Sequence, residues 1–432
     1  MWCKPSDKLG IMNEEKNPKE YDAVLGGNNP PPVDGLVLGG IAGVERHLSS
    51  KQLTTKLDAV TEALKYGDEG IELIINALHD SSERFRYAAA RILKQQGNLD
   101  AKQALLDFNP YLFCTTFKDW HEVRFNSDID LQNTADNAYI VSLDRFVRES
   151  RVVGANGRER VIRKVFYSTD TFKALLATPQ AEEITALSCH INNWNDKYEN
   201  KEFGIFLEAI CDAAEQLPNL KALFIGDSGE DMFRKSYLNI FDLRPILEAY
   251  PKLEVLQVCG KFSEYPLECE DLKHDRFKTL IIETADIYEH NLTQICNLDL
   301  PSLEYLELWL GRWARNEVKS LDRILNSDPF PWLKYLGLKS GEQNDRIAQA
   351  IVNSPILEHL YILDLSMGSL TDNGVEALLN CPEIEQLDTL DISYNAVSES
   401  AIACLSALDI NLIANNQAND PYYGHRYSTL HE

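Results

Sequence analysis

The stretch LPSLEYLELWLG, from Leu300 to Gly311, decides the fold, because its pattern of apolar residues returns again and again along the chain. The same L-x-x-L-x-L spacing occurs in LPNLKALFIGD, which begins at Leu217, and in LDTLDISYN, which begins at Leu387. The middle apolar residues of nine such copies are Leu187, Leu223, Leu256, Leu280, Leu306, Leu336, Leu363, Leu390 and Ile410. Copies that stay in register over half of a chain indicate a repeat architecture.

The copies recur about every 28 residues, which leaves room for a helix between successive strands. FGIFLEAICDAAEQL from Phe203 and SESAIACLSAL from Ser398 carry apolar residues at helical spacing in such intervals. We therefore predict an α/β fold in which parallel strands alternate with helices. Because side chains alternate along a strand, the leucines of L-x-L should point into the core, and the residues between them should line the other, concave face.

The copies resemble the ribonuclease-inhibitor-like class of leucine-rich repeats. The phrases YLGLKSG and LDLSMGSLTDNGVEALL are similar to a bacterial family of uncharacterised leucine-rich-repeat proteins. The resemblance covers residues 184-416 and implies a horseshoe solenoid, with parallel strands inside and helices outside. It implies no particular activity.

Residues 51-110 have helical periodicity in four segments, which predicts two antiparallel helix pairs. The third segment, SERFRYAAARILKQQG, follows Asp80 and carries Phe85, Arg86 and a run of alanines, and this pattern resembles the HEAT repeat. In that family the alanines allow close helix packing, and the acid and the arginine tie neighbouring repeats together. The resemblance implies a short α-helical HEAT-like module before the leucine-rich domain, of the size of a cap or adaptor.

Residues 1-50 are punctuated by glycine and proline, including three consecutive prolines from Pro30 that favour an extended stretch. The segment fits a linker or a docking segment for another protein. Residues 111-183 form a connector, in which Asn156-Gly157 lies between two alternating runs and predicts a β-hairpin. The basic residues of this hairpin form the most basic patch of the sequence, which fits a solvated strand face or a phosphate site.

The 432 residues are 44% hydrophobic and 25% charged, which is typical of a soluble globular protein. There are 42 Lys and Arg against 67 Asp and Glu, a net charge of −25 that argues against nucleic acid as a partner. Residues 184-432 contain 19 basic and 40 acidic residues, so most of the acidity belongs to the leucine-rich domain. An acidic surface steers a basic partner or serves solubility alone, and the sequence leaves both readings open.

The start of the chain lacks a signal-peptide pattern, and no apolar run is long enough for a membrane span, so we expect a cytoplasmic protein without membrane contacts. Nine cysteines are scattered without a C-x-x-C pair, which argues against a zinc site or a disulfide framework. We expect no metal and no cofactor. Residues 417-432 form a tail.

The candidate partner-binding residues lie between and beside the repeat leucines on the predicted concave face: Tyr305, Glu307, Trp309, Tyr335, Lys339, Asp364 and Asp391. Tyrosine and tryptophan are frequent anchors of protein interfaces, and the acidic residues would select a basic or polar patch. In the alternative interpretation the aromatic side chains pack on neighbouring loops or stack on one another.

These features predict a non-enzymatic scaffold or adaptor that binds a protein partner, one with a basic patch, on the concave face. The sequence contains no phosphate-binding loop, dinucleotide motif or H-E-x-x-H, and we assign no catalytic residue. The alternative is an enzyme or an accessory protein with its site in the HEAT-like module or in residues 111-183. One example is a chromoprotein helper similar to the bilin lyases, which use HEAT-like repeats.

Overall fold

The computed structural model describes residues 40–153, 159–191, 202–226, 239–240, 242–262, 272–284, 287–311, 318–327 and 329–417. The chain divides into two compact units between Ser81 and Ser82. Most of the Gly/Pro-rich segment and the C-terminal tail therefore lie outside the described residues.

The described part of the first unit is helical and contains α1 (Ile41–Leu48), α2 (Leu53–Ala63) and α3 (Gly67–Ala77). Val60 and Ile74 are fully buried between these helices. The turn before α3 requires Gly67, whose φ of 58° lies in the left-handed region that favours glycine. Lys56 of α2 forms an ion pair with Asp80, the acid that the HEAT pattern singles out.

The second unit begins with two helices, α4 (Glu83–Gln96) and α5 (Leu99–Phe108). The side-chain oxygens of Ser82 and Asn98 accept hydrogen bonds from backbone N–H groups in the first turns and so cap both helices. Gly97 ends α4 in the left-handed conformation that is common after a helix.

A long sheet follows. The strands of the second unit, in chain order and including four short strands outside the sheet, are β1 (His121–Arg124), β2 (Asn137–Val153), β3 (Glu159–Ser168), β4 (Ala186–Ile191), β5 (Ala222–Gly226), β6 (Asn239–Ile240), β7 (Val255–Cys259), β8 (Lys261–Phe262), β9 (Leu272–Lys273), β10 (Thr279–Glu283), β11 (Leu298–Asp299), β12 (Tyr305–Gly311), β13 (Tyr335–Gly341), β14 (Ile362–Asp364), β15 (Thr389–Asp391) and β16 (Asn411–Ile413).

Within the described residues, twelve strands form one sheet in the order β1, β2, β4, β5, β7, β10, β12, β13, β14, β15, β16, with β3 paired to β2. All neighbours pair in parallel except β2 and β3, which are antiparallel on the two sides of Asn156-Gly157. The turn itself, residues 154–158, lies outside the described residues. The predicted α/β fold with parallel strands is confirmed.

Helices occupy most of the connections between the parallel strands: α6 (Asp170–Leu176), α7 (Glu202–Asp212), α8 (Arg244–Ala249), α9 (Glu289–Cys296), α10 (Asp322–Leu325), α11 (Asn344–Ile351), α12 (Asp372–Leu379) and α13 (Glu399–Leu405). Their apolar side chains, such as Ile295 and Ile347, share one core with the repeat leucines Leu306, Leu336 and Leu363. Burial of such a side chain stabilises the fold by about 1.5–3 kcal/mol. The helices therefore cover one face of the sheet.

The sheet starts earlier than the repeats seen in the sequence. Tyr139, Val141 and Leu143 of β2 point into the same core as the repeat leucines, whereas the first predicted copy begins at Ile184. The repeat signal in β2 is weak because the first two of these positions are not leucine.

Among the described residues, every helix is too short or too polar to cross a bilayer.

Candidate functional site

The parallel register aligns the predicted site residues in rows on the face of the sheet opposite the helices, here called the second face. Glu307, Gly337, Asp364 and Asp391 are neighbours in one such row, on β12 to β15. Tyr305 and Tyr335 are paired in the row on one side of it, and Trp309 and Lys339 in the row on the other side. These residues therefore lie on the face of the sheet opposite the repeat leucines.

Glu307 is the centre of a hydrogen-bond network on this face. Its Oε2 accepts a hydrogen bond of 2.6 Å from the hydroxyl of Tyr305, and its Oε1 accepts one of 2.7 Å from Nε1 of Trp309. Burial alone would raise the pKa of Glu307, but Lys339 and these two donors outweigh it and lower the pKa. Glu307 is therefore held as a carboxylate.

Asp364 lies in the same network and is fully buried. Its Oδ1 accepts a hydrogen bond of 2.9 Å from the backbone N–H of Ser366. The hydroxyl oxygen of Tyr335 lies 2.8 Å from Oδ2 of Asp364 and 3.2 Å from Oε2 of Glu307, so one proton serves two carboxylates. Burial raises the pKa of Asp364; Lys339 opposes this rise, and the neighbouring carboxylates add to it.

Lys339 is the cation that this network shares. Its Nζ lies 3.5 Å from Oε1 of Glu307, 3.4 Å from Oδ2 of Asp364 and 5.5 Å from the centre of the Trp309 ring. Burial alone would lower the pKa of Lys339, but the carboxylates outweigh it and raise the pKa. A charge buried in this way is tolerated only while it is paired.

A segment of the chain itself lies across the second face. It comprises residues 109–120 and is called the covering segment here. The hydroxyl of Tyr111 donates a hydrogen bond to Asp391, whose other oxygen accepts one of 2.8 Å from the backbone N–H of Ser393. The ring of Tyr111 also meets the ring of Tyr335 edge-on, with 6.4 Å between their centres.

The remaining contacts of the covering segment cross the sheet strand by strand. Phe113 packs on Tyr361, Thr115 accepts a hydrogen bond from Thr279 through its carbonyl oxygen, Phe117 packs on Phe224, and Nε1 of Trp120 donates a hydrogen bond of 3.1 Å to Thr185. Phe117 and Trp120 form a second core with the row of small residues Ala138, Ala186, Ala222 and Val255. The covering segment therefore runs from the last repeats to the first.

Helix α4 holds the covering segment in place. Nζ of Lys94 lies 2.7 and 2.8 Å from the two carboxylate oxygens of Asp119, and both side chains are almost fully buried. Burial raises the pKa of Asp119, and Lys94 opposes that rise. Removing one member of such a buried pair leaves an uncompensated charge, so the pair ties the covering segment to α4.

The expectation that the aromatic anchors face solvent is wrong. Tyr305, Tyr335 and Trp309 retain only 4%, 0% and 6% of their exposure. The acidic residues assigned to select a partner are closed off as well: Glu307, Asp364 and Asp391 retain 7%, 0% and 5%. Lys339 is nearly as buried and is engaged by two carboxylates. The physical reason is that the network satisfies their polar groups and the covering segment occupies the adjoining space.

The alternative interpretation of the tyrosines, that they stack on one another, is the one that the structure shows. The rings of Tyr305 and Tyr335 lie 3.8 Å apart and are almost parallel, with an angle of 4° between them. Gly337 leaves room for this arrangement. A Cβ at that position would lie 3.0 Å from the hydroxyl of Tyr335 and 3.2 Å from Cγ of Glu307.

A serine, a histidine and a glutamate also meet on the second face, near its other end. Oγ of Ser188 donates a hydrogen bond of 2.6 Å to Oε1 of Glu122 and lies 2.9 Å from Nε2 of His190, which is itself 3.6 Å from the same Glu122 oxygen. In a hydrolytic triad the imidazole lies between the serine and the acid and uses both nitrogens. Here Nε2 alone faces both oxygens, and Ser188 is fully buried, so the group is not arranged as such a triad.

Metal ligation has no candidate group in the described part of the chain: nowhere there do three or more His, Cys, Asp or Glu side chains converge as a metal requires. The carboxylates of Glu307 and Asp364 face a lysine instead.

Among the described residues, exposed large apolar side chains are concentrated on the hairpin. The β2–β3 ribbon is defined here as residues 145–153 of β2 paired with residues 159–167 of β3. It carries six of the twelve large hydrophobic side chains that are exposed in the described residues: Phe146, Val152, Val153, Val161, Ile162 and Phe166. The sequence reasoning noted the basic residues here but assigned no partner-binding residue to the ribbon. In the sequence, the signal for this exposed surface is the alternation of apolar and basic side chains along the two strands.

Comparisons with known proteins give the fold only. No protein-family model matches the sequence, and no protein with a curated description is similar to it. A crystal structure of a Bacteroides fragilis protein is similar, with a TM-score of 0.52 and 19% identity over 66% of this chain and 95% of that one. An internalin from Listeria monocytogenes is similar over 56% of this chain and 58% of that one, with a TM-score of 0.31 and 16% identity.

Proposed function

We propose that this chain is a non-enzymatic scaffold or adaptor that binds another protein through the β2–β3 ribbon. The proposal rests on the six exposed apolar side chains of this ribbon, of which Phe146, Val152, Ile162 and Phe166 lie on one face and Val153 and Val161 on the other. Soluble proteins rarely leave a contiguous apolar surface open to water unless something binds there. The partner is not assigned to Trp309 and its neighbours, because these side chains are already packed within the protein.

The proposal includes a leucine-rich-repeat horseshoe as the support of the ribbon. The shared core of repeat leucines and helices, such as Leu306 with Ile295, supports this architecture. A protein partner is favoured over nucleic acid by the net charge of −25. A cytoplasmic location fits the cysteines of the described residues, none of which forms a disulfide bond.

The proposal is tested by capture from native lysate and quantitative mass spectrometry. A variant with Val152→Ser, Ile162→Ser and Phe166→Ser removes apolar surface from the ribbon. A control variant with Ile129→Ser and Tyr394→Ser changes exposed apolar residues elsewhere. Circular dichroism must match for all three proteins.

We expect one or more proteins that the wild type and the control retain and the ribbon variant loses. Identical capture by all three proteins would remove the ribbon from the account, and capture of nothing by the wild type would contradict the scaffold role.

A further inference from the structure

The antiparallel register sorts the side chains of the ribbon onto two faces. Residues that are directly opposite each other share a face, and the pairs are Phe146 with Phe166, Arg148 with Lys164, Ser150 with Ile162, and Val152 with Arg160. These eight residues have even numbers and define the even face of the ribbon. All eight are exposed.

These eight residues combine apolar side chains with positive charge and include no acidic residue, and the next pair on the same face, at the base of the ribbon, is Asp144 with Ser168. Arg148 and Lys164 are direct neighbours across the strands, with Cβ atoms about 5 Å apart. Arg160 lies two pairs further on, about 14 Å along the strand, with Ile162 in the pair between them. In the described part of the chain, none of these three cations forms an ion pair with a carboxylate.

One of the three cations, Arg148, is partly positioned before any partner arrives. The guanidinium of Arg148 lies over the ring of Phe166, 5.6 Å from its centre. Such a contact restrains the long side chain, so less of its conformational freedom is lost on binding. The odd-numbered face differs, because it carries Glu149 and Glu159 beside its basic residues.

We propose that the even face of the ribbon binds a polypeptide segment in which carboxylates alternate with apolar side chains. This inference rests on the proposed function and adds the chemistry of the partner. Glutamates or aspartates of the segment meet Arg148, Lys164 and Arg160, and its apolar residues cover Ile162 and the two phenylalanines. The match is one of charge and of spacing, since an extended segment has the same two-residue period as the ribbon.

A second copy of this chain fits the even face less well. Two even faces brought together by a twofold axis would place cations against cations, which is unfavourable. A contact between the ribbon of one copy and an acidic surface of the next is heterologous, and it produces a ring or an open chain of molecules, both of which sedimentation detects as self-association. The complementary surface is therefore assigned to a different, acidic protein.

The test uses a short fluorescent peptide with glutamate at every fourth position, valine midway between the glutamates and serine elsewhere. Its partner probe has lysine in place of glutamate. Binding to the full chain is followed by fluorescence anisotropy at low and at high salt. The matched variants are Arg148→Glu on the even face and Arg151→Glu on the odd face, which make the same change of charge at two exposed positions of one strand. Lys164→Glu repeats the even-face change without removing the contact of Arg148 with Phe166.

We expect the glutamate peptide to bind, the lysine peptide not to bind, and salt to weaken the complex. Arg148→Glu and Lys164→Glu should each reduce the affinity by at least about tenfold, and Arg151→Glu by less than about threefold. The double variant Arg148→Glu/Lys164→Glu should bind the lysine peptide instead. Circular dichroism confirms that each variant is folded.

Equal losses of peptide affinity for Arg148→Glu and Arg151→Glu would overturn the inference. So would binding of vesicles with anionic lipid, or of single-stranded DNA, in place of the peptide. A self-association that is seen in sedimentation and abolished by Arg148→Glu would overturn it as well. If Arg148→Glu loses the peptide but keeps the partner captured from lysate, the acidic-segment inference fails and the proposed function stands. If no capture depends on the ribbon, the proposed function fails.

Discussion

The hydroxyl of Tyr111 donates a hydrogen bond to the carboxylate of Asp391, although 280 residues separate the two in sequence. Tyr111 belongs to the covering segment and Asp391 to β15, so the bond joins the start of the second unit to its last repeats. Asp391 is only 5% exposed, and bulk water cannot readily replace this donor. The contact shows directly how the face predicted to bind a partner is closed by the chain itself.

Replacing Tyr111 with phenylalanine should destabilise the protein by about 1–3 kcal/mol, because the buried carboxylate of Asp391 loses a donor while the shape of the ring is kept. The measurement is urea unfolding followed by circular dichroism. Tyr394→Phe is the control: Tyr394 is 52% exposed, and its change should stay within about 0.5 kcal/mol. Equal effects of the two substitutions would contradict a structural role for the Tyr111 hydroxyl.

Replacing Lys339 with methionine should cost about 3–5 kcal/mol, because Glu307 and Asp364 then remain buried without their cation. Lys273→Met is the matched control. Lys273 also pairs with an acid, Asp275, but both side chains are largely exposed and screened by water, so the loss should be far smaller than for Lys339→Met. The measurement is the free energy of unfolding of both variants. A Lys339→Met protein as stable as the Lys273→Met control would show that the network does not stabilise the fold.

The raised pKa of Asp364 predicts a pH dependence of stability. The folded protein keeps the proton of Asp364 at pH values where the unfolded chain has lost it. The stability that this group contributes is therefore present below its unfolded pKa of about 3.9 and is lost as the pH rises through the folded pKa. Asp364→Asn does not titrate. The wild type should therefore lose stability relative to Asp364→Asn as the pH rises through this window.

The check is a series of urea unfolding curves of both proteins at increasing pH. Glu307, Lys339 and Asp391 face the same group and remain in both proteins, so the difference between the curves reports the titration of Asp364 together with its coupling to these three groups. A difference that does not change with pH, or one that moves in favour of the wild type as the pH rises, would contradict the assignment.

Phe117→Ala should destabilise the protein by about 3–5 kcal/mol, because the ring fills the space against Phe224 and the small residues of the neighbouring strands. Phe146→Ala removes the same ring from the exposed ribbon and should change stability by less than about 0.5 kcal/mol. Chemical unfolding of the two variants side by side tests whether the covering segment is part of the core. If Phe117→Ala costs no more than Phe146→Ala, the segment is only loosely attached.

The sequence was sufficient to place the strands of the main sheet from β4 to β15 and to assign their faces, because alternation along a strand is a local property. The last predicted copy is wrong by two residues, since Leu412 and not Ile410 lies in register with Leu390. Leu306 and Leu308 point into the core and Glu307 lies on the second face, as the repeat pattern predicts. The first strands escaped the prediction, since Tyr139 and Val141 stand where the repeat has leucine.

Burial of the predicted site could not be read from the strands, because the residues that cover them lie far away in sequence. The run FNPYLFCTTFKDW, from Phe108 to Trp120, has neither helical nor strand periodicity. Its aromatic side chains are the signal in the sequence that this run packs against another part of the protein. The Tyr305–Tyr335 stack was foreseen as an alternative, whereas the partners of Tyr111 follow only from the three-dimensional structure.

Closure of the second face by the covering segment should protect Cys114 from chemical modification in the native protein. Cys114 belongs to the covering segment, is 4% exposed, and its thiol lies 3.9 Å from the carbonyl oxygen of Glu304, and burial raises its pKa to about 12. Cys404 is exposed and serves as the internal reference. With a pulse of alkylating reagent followed by peptide mass spectrometry, we expect Cys404 to react at once and Cys114 only when denaturant unfolds the chain. Alkylation of Cys114 in native buffer at a rate similar to that of Cys404 would show that the second face is open and would contradict the account.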